Sequence, residues 1–254
     1  MKEERVQNGK PKEKRRKKRI KKVFIVIPLL VLLLAGIVCG LYFIKVDRIT
    51  VTGDERVSGE VVLSQTFPDE ESTRLYKVIW RMVDGLPQNG AFSKFSLKLT
   101  WFTSAVITAW EEESVFKVVN ASETYYYTAN GIRVDRPETD ELIRLEGFPI
   151  RNNELYTAPD LKEDRMEAFR NAGMVLTFVN DRKLPAESLT ELDGSYLLSF
   201  GDVKVSLGSM DHMSEKIYEV SFQYPKYEGL KGTLHMENFD GTNASKGFTF
   251  TVDE

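Results

Sequence analysis

The chain has 254 residues, of which 42% are hydrophobic and 29% are charged, a composition typical of a globular protein with a membrane segment attached. Its net charge of −3 hides an asymmetry. The first 22 residues carry twelve lysines and arginines against three acids, a net charge of +9, and the rest of the chain carries −12. The single cysteine, Cys39, lies in an apolar segment, so the remainder can form no disulfide and a disulfide-stabilised fold is excluded.

One uncharged segment, residues 23–44, has the length and composition of a membrane span. Sixteen of its 22 residues are Leu, Ile, Val or Phe. As an α-helix it would measure about 33 Å, which matches a bilayer core of about 30 Å. The basic residues 1–22 precede it, and the positive-inside rule then places the N-terminus in the cytoplasm. The sequence therefore predicts a single-pass type II protein of the cell membrane, with most of the chain on the extracytoplasmic side.

Other interpretations of the N-terminus agree less well with the sequence. A cleaved signal peptide would end in a small-x-small cleavage site, but the chain reads Tyr-Phe-Ile-Lys after Leu41. A lipoprotein signal would place a small residue before its cysteine, whereas Val38 precedes Cys39. The basic run could also contact nucleic acid, but beside a membrane helix it is better explained as a topology signal near anionic lipid.

Residues 45–113 predict a small domain with the element order β-α-α-β-β. A strand around Ile49 and Val51 ends near Gly53, and a short helix begins after an N-cap at Ser58. A second, amphipathic helix is expected over residues 70–83, where apolar residues recur at spacings of three and four. The last two strands are indicated by alternating apolar and polar residues in two runs, 95–101 and 106–110.

Residues 114–241 predict a second domain that is richer in β-structure, so the fold class is α+β. Asn130-Gly131 is a strong signal for a hairpin turn. Two helices are expected, at 161–179 and 213–224. The expected strands cover 115–119, 125–127, 132–134, 188–192, 195–200, 203–207, 230–237 and 248–252. Residues 242–254 are assigned to a C-terminal tail that could cover or extend an edge of the sheet.

This arrangement resembles a bacterial cell-division family, FtsQ, which is called DivIB in Gram-positive bacteria. The resemblance is carried by the span that opens directly onto a strand, and by four motifs along the chain: Ile49-Thr-Val-Thr-Gly53, Ala109-Trp-Glu-Glu112, Tyr127-Thr-Ala-Asn-Gly-Ile132, and Val203-Lys-Val-Ser-Leu-Gly208 followed by a helix and Gly232-Thr-Leu-His-Met236. The chain departs from the family pattern at His235, where an acid is usual, and in lacking a proline signature between the paired strands of the first domain. The resemblance implies a POTRA domain over residues 45–113 and the family's β-domain over 114–241.

The resemblance also implies where partners bind. In this family a segment of the partner FtsB or DivIC is expected to add as an extra strand beside the last strand of the β-domain, held by backbone hydrogen bonds. The matching segment contains Leu234, Met236, Asn238 and Phe239, with Phe239 as an aromatic anchor beside the edge. These four are the predicted partner-binding residues. The alternative for the same segment is an ordinary internal strand.

The sequence contains no recognisable motif for catalysis or cofactor binding. Beyond the apolar segment there is no cysteine, and the two histidines, His212 and His235, do not have the spacing of paired metal ligands. Glu111-Glu112-Glu113 could be imagined as catalytic carboxylates, but an acidic run at a strand end is more typical of a solvated corner between domains. The chain has no G-x-S-x-G, no S-x-x-K and no phosphate-binding loop. We therefore expect no enzyme activity, no cofactor, no metal and no small-molecule substrate.

Together these patterns predict a non-enzymatic scaffold at the division septum that binds partners of the FtsL and DivIC/FtsB type. Two alternatives belong to other classes of protein. A type II membrane-anchored cell-wall enzyme would need clustered catalytic side chains. A POTRA-containing export component would be expected to have tandem POTRA repeats or a following barrel.

Overall fold

The computed structural model describes residues 12–84, 90–120, 123–137, 141–150, 153–241 and 248–253. Its first element is the helix α1 (Lys12–Phe43). The segment Val26–Phe43 of this helix is long and apolar enough to cross a membrane, and none of it is buried against the other described residues. An apolar helix that the protein itself leaves uncovered is typical of a membrane span. The rest of the described chain is rich in β-sheet, so the α+β class is confirmed.

The first region after α1 contains β1 (Arg48–Gly53), α2 (Gly59–Thr66), α3 (Leu75–Asp84), β2 (Phe92–Trp101) and β3 (Ser104–Glu111). The order of these elements is the predicted one. In the three-stranded sheet β3 is central, parallel to β1 and antiparallel to β2. The core of this region is formed by one face of the helices and one face of the sheet, including the buried side chains of Val62, Leu75, Val78 and Ile107.

Helix α3 begins later than the sequence predicts, at residue 75 rather than residue 70. The Ser72 N–H donates to the Asp69 carboxylate at 2.6 Å, which closes a turn. The Thr73 carbonyl accepts the Val46 N–H at 2.9 Å, and the Leu75 N–H donates to the Ile44 carbonyl at 2.9 Å. Because these backbone groups bind the chain that leaves α1, they are not available for an additional helical turn.

The second region is built around a nine-stranded sheet with the order β12-β11-β10-β9-β8-β7-β4-β5-β6. Two helices, α4 (Glu163–Asp181) and α5 (Met213–Gln223), belong to the same region, and their buried faces pack into the core formed with the strands. The strands are β4 (Phe116–Val119), β5 (Thr124–Tyr127), β6 (Arg133–Val134), β7 (Ile143–Glu146), β8 (Ser188–Leu192), β9 (Ser195–Phe200), β10 (Val203–Gly208), β11 (Gly232–His235) and β12 (Thr249–Val252).

The packing of α4 depends on a glycine that faces the β5–β6 hairpin. A Cβ at Gly173 would lie 2.4 Å from the Ala129 carbonyl oxygen, so only glycine allows the helix to approach this closely. One helical turn earlier, Phe169 packs edge-on against Phe116 and Tyr127, with ring centroids 5.4 and 5.0 Å away. The helix therefore fixes the position of the hairpin whose turn is Asn130-Gly131.

One strand of this region is not predicted by the sequence, and a predicted one extends the sheet beyond the expected domain boundary. Strand β7 falls in a part of the sequence that indicates no element, yet it lies in the middle of the sheet, parallel to both β4 and β8. Strand β12 falls within the predicted strand 248–252, inside the segment expected to form a C-terminal tail, and it pairs antiparallel with β11, so this segment extends the edge of the sheet. The end of the described chain is therefore part of the sheet.

Candidate interdomain joint and partner-binding edge

The carboxylate of Glu111 is buried where the two regions meet. Only 5% of this residue is exposed. One carboxylate oxygen accepts the Asp135 N–H at 3.1 Å, and the other accepts the Tyr156 O–H at 3.0 Å. Burial raises the pKa of Glu111 above its ordinary value, and the hydrogen bonds from Tyr156 and Asp135 oppose that rise. The acidic run begins where the two regions meet, and its first member, Glu111, is buried, whereas the sequence predicted a solvated corner.

Tyr156 connects the two regions through both its hydroxyl group and its ring. Its hydroxyl oxygen also accepts the Ser58 N–H at 3.3 Å, and its ring lies 4.7 Å from the Phe92 ring, centroid to centroid. Burial and the neighbouring Glu111 charge raise the pKa of the Tyr156 hydroxyl strongly. The backbone of Tyr156 has φ +61°, a left-handed conformation that is rare for a tyrosine. We refer to Ser58, Glu111, Asp135 and Tyr156 as the interdomain joint.

The segment that carries Tyr156 also covers one edge of the large sheet. The Tyr156 N–H donates to the Arg133 carbonyl at 2.8 Å, and the Arg133 N–H donates to the Thr157 carbonyl at 2.9 Å. These bonds occupy the outer side of β6. A short, covered edge is a usual protection against unwanted strand pairing.

The opposite edge of the large sheet is β12. Within the described part of the chain β12 pairs on one side only, with β11, and three of its four residues are exposed. The Asp253 N–H donates to the Lys231 carbonyl at 3.1 Å. Since backbone groups alternate in direction along a strand, the N–H and C=O groups of Phe250 and Val252 point away from β11. These outward groups are the ones that an added strand could pair with.

Aromatic contacts and one glycine hold β12 in place. The Phe250 ring stacks on Tyr227 with centroids 4.3 Å apart, and Phe248 stacks on Phe239 at 5.5 Å. A Cβ at Gly232 would lie 2.2 Å from the Thr251 carbonyl oxygen, so β12 can approach β11 this closely only because residue 232 is glycine. The edge is therefore supported from the interior of the domain.

The four predicted partner-binding residues do not lie at this edge. Strand β11, which contains Leu234, is flanked by β10 and β12, so the segment is internal, which was the alternative interpretation. The side chains of Leu234 and Met236 are fully buried, that of Phe239 is nearly so, and that of Asn238 is exposed. The expectation that this segment forms the free edge is corrected, because residues 249–252 add one more strand outside it.

The two histidines lie in β11 and directly before α5. His235 bridges β11 to its surroundings, with Nδ1 3.0 Å from Glu237 Oε1 and Nε2 3.0 Å from Thr251 Oγ1. Burial alone would raise the pKa of Glu237, but hydrogen bonds from Ser206 and His235 lower it below its ordinary value. His212 precedes α5 in a left-handed conformation. Across the described residues, no group of three or more His, Cys, Asp or Glu side chains is arranged to hold a metal ion.

Sequence reasoning missed Tyr156, because no motif distinguishes a tyrosine that links two domains from any other buried tyrosine. It recognised residues 248–252 as a strand but not as the outermost one, because pairing order is not encoded in local periodicity. The joint and the β12 edge rest on geometry alone, since no family model matches this chain and no curated protein matches it either.

Proposed function

We propose that the chain is a non-enzymatic, membrane-anchored scaffold of the bacterial division machinery. In this proposal residues 45–113 are a POTRA domain, and residues 114–241 together with β12 are a β-domain of the FtsQ/DivIB type. The single observation that carries the proposal is the exposed edge of β12 at one end of a nine-stranded sheet. A supported free edge is suited to binding another chain, whereas catalysis would need converging reactive side chains.

The direction of binding follows from the two edges of the sheet. The β6 edge is occupied by backbone bonds to residues 156 and 157, whereas the outward groups of Phe250 and Val252 belong to the β12 edge. An extended segment of a partner would therefore add beside β12. Because Phe250 is already fixed by Tyr227, the receiving strand would lose little conformational entropy on binding. The partners we propose are extracytoplasmic segments of FtsL- and DivIC/FtsB-type proteins.

The apolar helix α1 supplies the connection across the membrane in this proposal. Its basic N-terminal flank favours a cytoplasmic N-terminus, so the two folded regions would lie outside the membrane at the septum. Such an arrangement would couple assembly of the division ring inside the cell to synthesis of septal wall outside.

The cellular role is tested by depletion of the protein and by localisation of a fluorescent fusion. The proposal expects accumulation at the division site and filamentous cells after depletion. A protein spread evenly around the envelope in cells that divide normally would contradict it.

The binding edge is tested with Val252→Pro, because the Val252 N–H points away from β11. Proline removes this outward donor and leaves the bonds between β11 and β12 intact. We expect partner affinity to fall by at least about tenfold, or about 1.4 kcal/mol, with little change in the unfolding of the domain. The matched control is Val252→Ala, which removes the side chain but keeps the N–H and should bind normally. If the folded proline variant binds the partner with unchanged affinity, the proposal that the partner adds beside β12 is refuted.

A further inference from the structure

Helix α3 has a second apolar face that the described part of the chain leaves uncovered. Its inner face, with Leu75 and Val78, is packed into the core. Its outer face carries apolar residues at helical spacing: Tyr76, Ile79, Trp80 and Val83. Trp80 is 67% exposed and Val83 is 81% exposed. A helix that is apolar on two faces of a small domain needs a second apolar surface to cover it.

The hairpin between β2 and β3 presents a similar surface. Trp101 is 66% exposed and Phe102 is 57% exposed at its tip, with their rings 5.4 Å apart. Tight turns are usually polar, so adjacent aromatic residues at a turn indicate a surface that is not simply solvated.

Both surfaces lie at the end of the first region that is attached to α1. The Tyr76 ring stacks on Tyr42, close to the end of α1, with centroids 5.4 Å apart. On the other side, the N–H groups of Asp47 and Arg48 donate to the Thr103 carbonyl in the hairpin, at 3.2 and 3.1 Å. Because α1 ends at Phe43, the aromatic residues of α3 and of the hairpin lie close to the level where the helix leaves the bilayer.

The groove beside α3 is shared with the membrane helix itself. It has a volume of about 660 Å³, and Leu41 of α1 contributes to the same wall as Ile79, Trp80 and Val83 of α3. Since Leu41 is two residues from the end of α1, the groove lies beside the end of the apolar segment. The charged side chains in the lining, Lys77 and Arg81, are both cationic; Lys77 lies 3.6 Å from the Glu71 carboxylate, and Arg81 lies over the Phe67 ring at 5.1 Å.

We propose that one apolar surface of the first region docks into the interface of the bilayer in which α1 is embedded. This surface consists of Tyr76, Trp80, Val83, Trp101 and Phe102. Tryptophan and tyrosine favour this interface because their rings are partly apolar and partly polar. The occupant of the groove is then lipid, and the first region is held against the membrane at two points besides its covalent connection. This inference depends on α1 spanning the membrane and does not depend on a role in division.

The three tryptophans of the chain provide an internal comparison. Trp110 lies near the opposite end of β3 from the hairpin, six residues beyond Ser104, or about 20 Å along the strand. Docking therefore predicts that Trp80 and Trp101 contact lipid and that Trp110 remains in water.

The first experiment uses the full, unmodified chain in phospholipid nanodiscs and measures oxidation of each tryptophan by hydroxyl radicals. In the protein alone, Trp80 is 67% exposed, Trp101 is 66% exposed and Trp110 is 47% exposed. Exposure alone therefore predicts that Trp110 is oxidised more slowly than the other two. Docking reverses this order, and we expect Trp80 and Trp101 to be oxidised at least about threefold more slowly than Trp110. The order set by exposure alone would overturn the proposal.

The second experiment uses variants that retain one tryptophan each, with phenylalanine at the other two positions, in nanodiscs that contain lipids brominated on their acyl chains. We expect the bromine atoms to quench at least half of the fluorescence of Trp80 and Trp101 and little of that of Trp110. Equal quenching at all three positions, or none, would overturn docking. Failure of the chain to remain with the discs would overturn the span as well, whereas loss of septal localisation would affect only the proposed function.

Discussion

Replacement of Tyr156 by phenylalanine isolates the hydrogen bonds of the interdomain joint from its packing. Phenylalanine keeps the ring that lies 4.7 Å from Phe92, but it removes the donor to Glu111 at 3.0 Å and the acceptor for the Ser58 N–H at 3.3 Å. Buried groups that lose their partners cost roughly 1–3 kcal/mol, with charged groups at the upper end. We expect Tyr156→Phe to lower the free energy of unfolding by about 2 kcal/mol, within that range.

The same variant should show a dependence on pH with a definite sign. The folded pKa of Glu111 is raised, so folding favours its protonated form, and the stability linked to this group falls as pH rises through that pKa. Tyr156→Phe removes a bond that stabilises the carboxylate, so it raises the folded pKa further. The loss of stability should therefore be largest near pH 7 and should shrink as the pH falls towards the ordinary value of 4.5.

Urea unfolding of the full chain in nanodiscs measures the loss, and hydrogen exchange at the Ser58 amide reports whether the joint itself opens. The control is Tyr218→Phe, because Tyr218 is exposed on α5 and its loss should cost less than about 0.5 kcal/mol. A loss at Tyr156 as small as that of the control, or one that does not change with pH, would refute the assignment of the joint.

Two further substitutions test the large sheet. Gly232→Ala places a Cβ 2.2 Å from the Thr251 carbonyl oxygen, so β12 should separate from β11. Amide hydrogen exchange should then accelerate over residues 249–252 and remain unchanged in β9. Retained protection of residues 249–252 would contradict the close approach of the two strands. Arg165→Met removes the ion-pair partner, 2.6 Å away, of the buried Glu191 carboxylate, and chemical denaturation should show a loss of about 2–4 kcal/mol. The exposed pair of Arg144 serves as the reference, because Arg144→Met should cost less than about 1 kcal/mol. Equal losses for the two arginines would show that burial of the carboxylate does not govern the effect.

The elements that could be predicted from the sequence are those with strong local signals. Strands β8 and β9 have the predicted bounds, because Asp193-Gly194 marks the turn between them and both of these residues adopt positive φ angles. The Asn130-Gly131 turn likewise joins two antiparallel strands, β5 and β6. In these cases neighbouring residues along the chain contain the information that sets the fold.

The features that sequence reasoning missed depend on contacts between distant segments. Strand β7 has only four residues, and both its neighbours are parallel strands that are far from it along the chain. The start of α3 is set by bonds to residues 44–46, and the outer position of β12 is set by its pairing with β11. At the candidate binding edge, the sequence predicts the last two strands, β11 and β12, at the correct residues. It does not predict which of the two lies at the edge of the sheet.

The parallel pairing of β1 and β3 determines how a pulling force would cross the first region. Strand β1 begins just after α1, and β3 ends at Glu111, where the second region begins. Tension between α1 and the large sheet would therefore act on opposite ends of two adjacent strands. In that geometry the strands slide past each other, so the backbone bonds across the six residue pairs from Arg48–Ser104 to Gly53–Ala109 are loaded together rather than one after another. The connection between α1 and the β-rich region would resist stretching as a single unit.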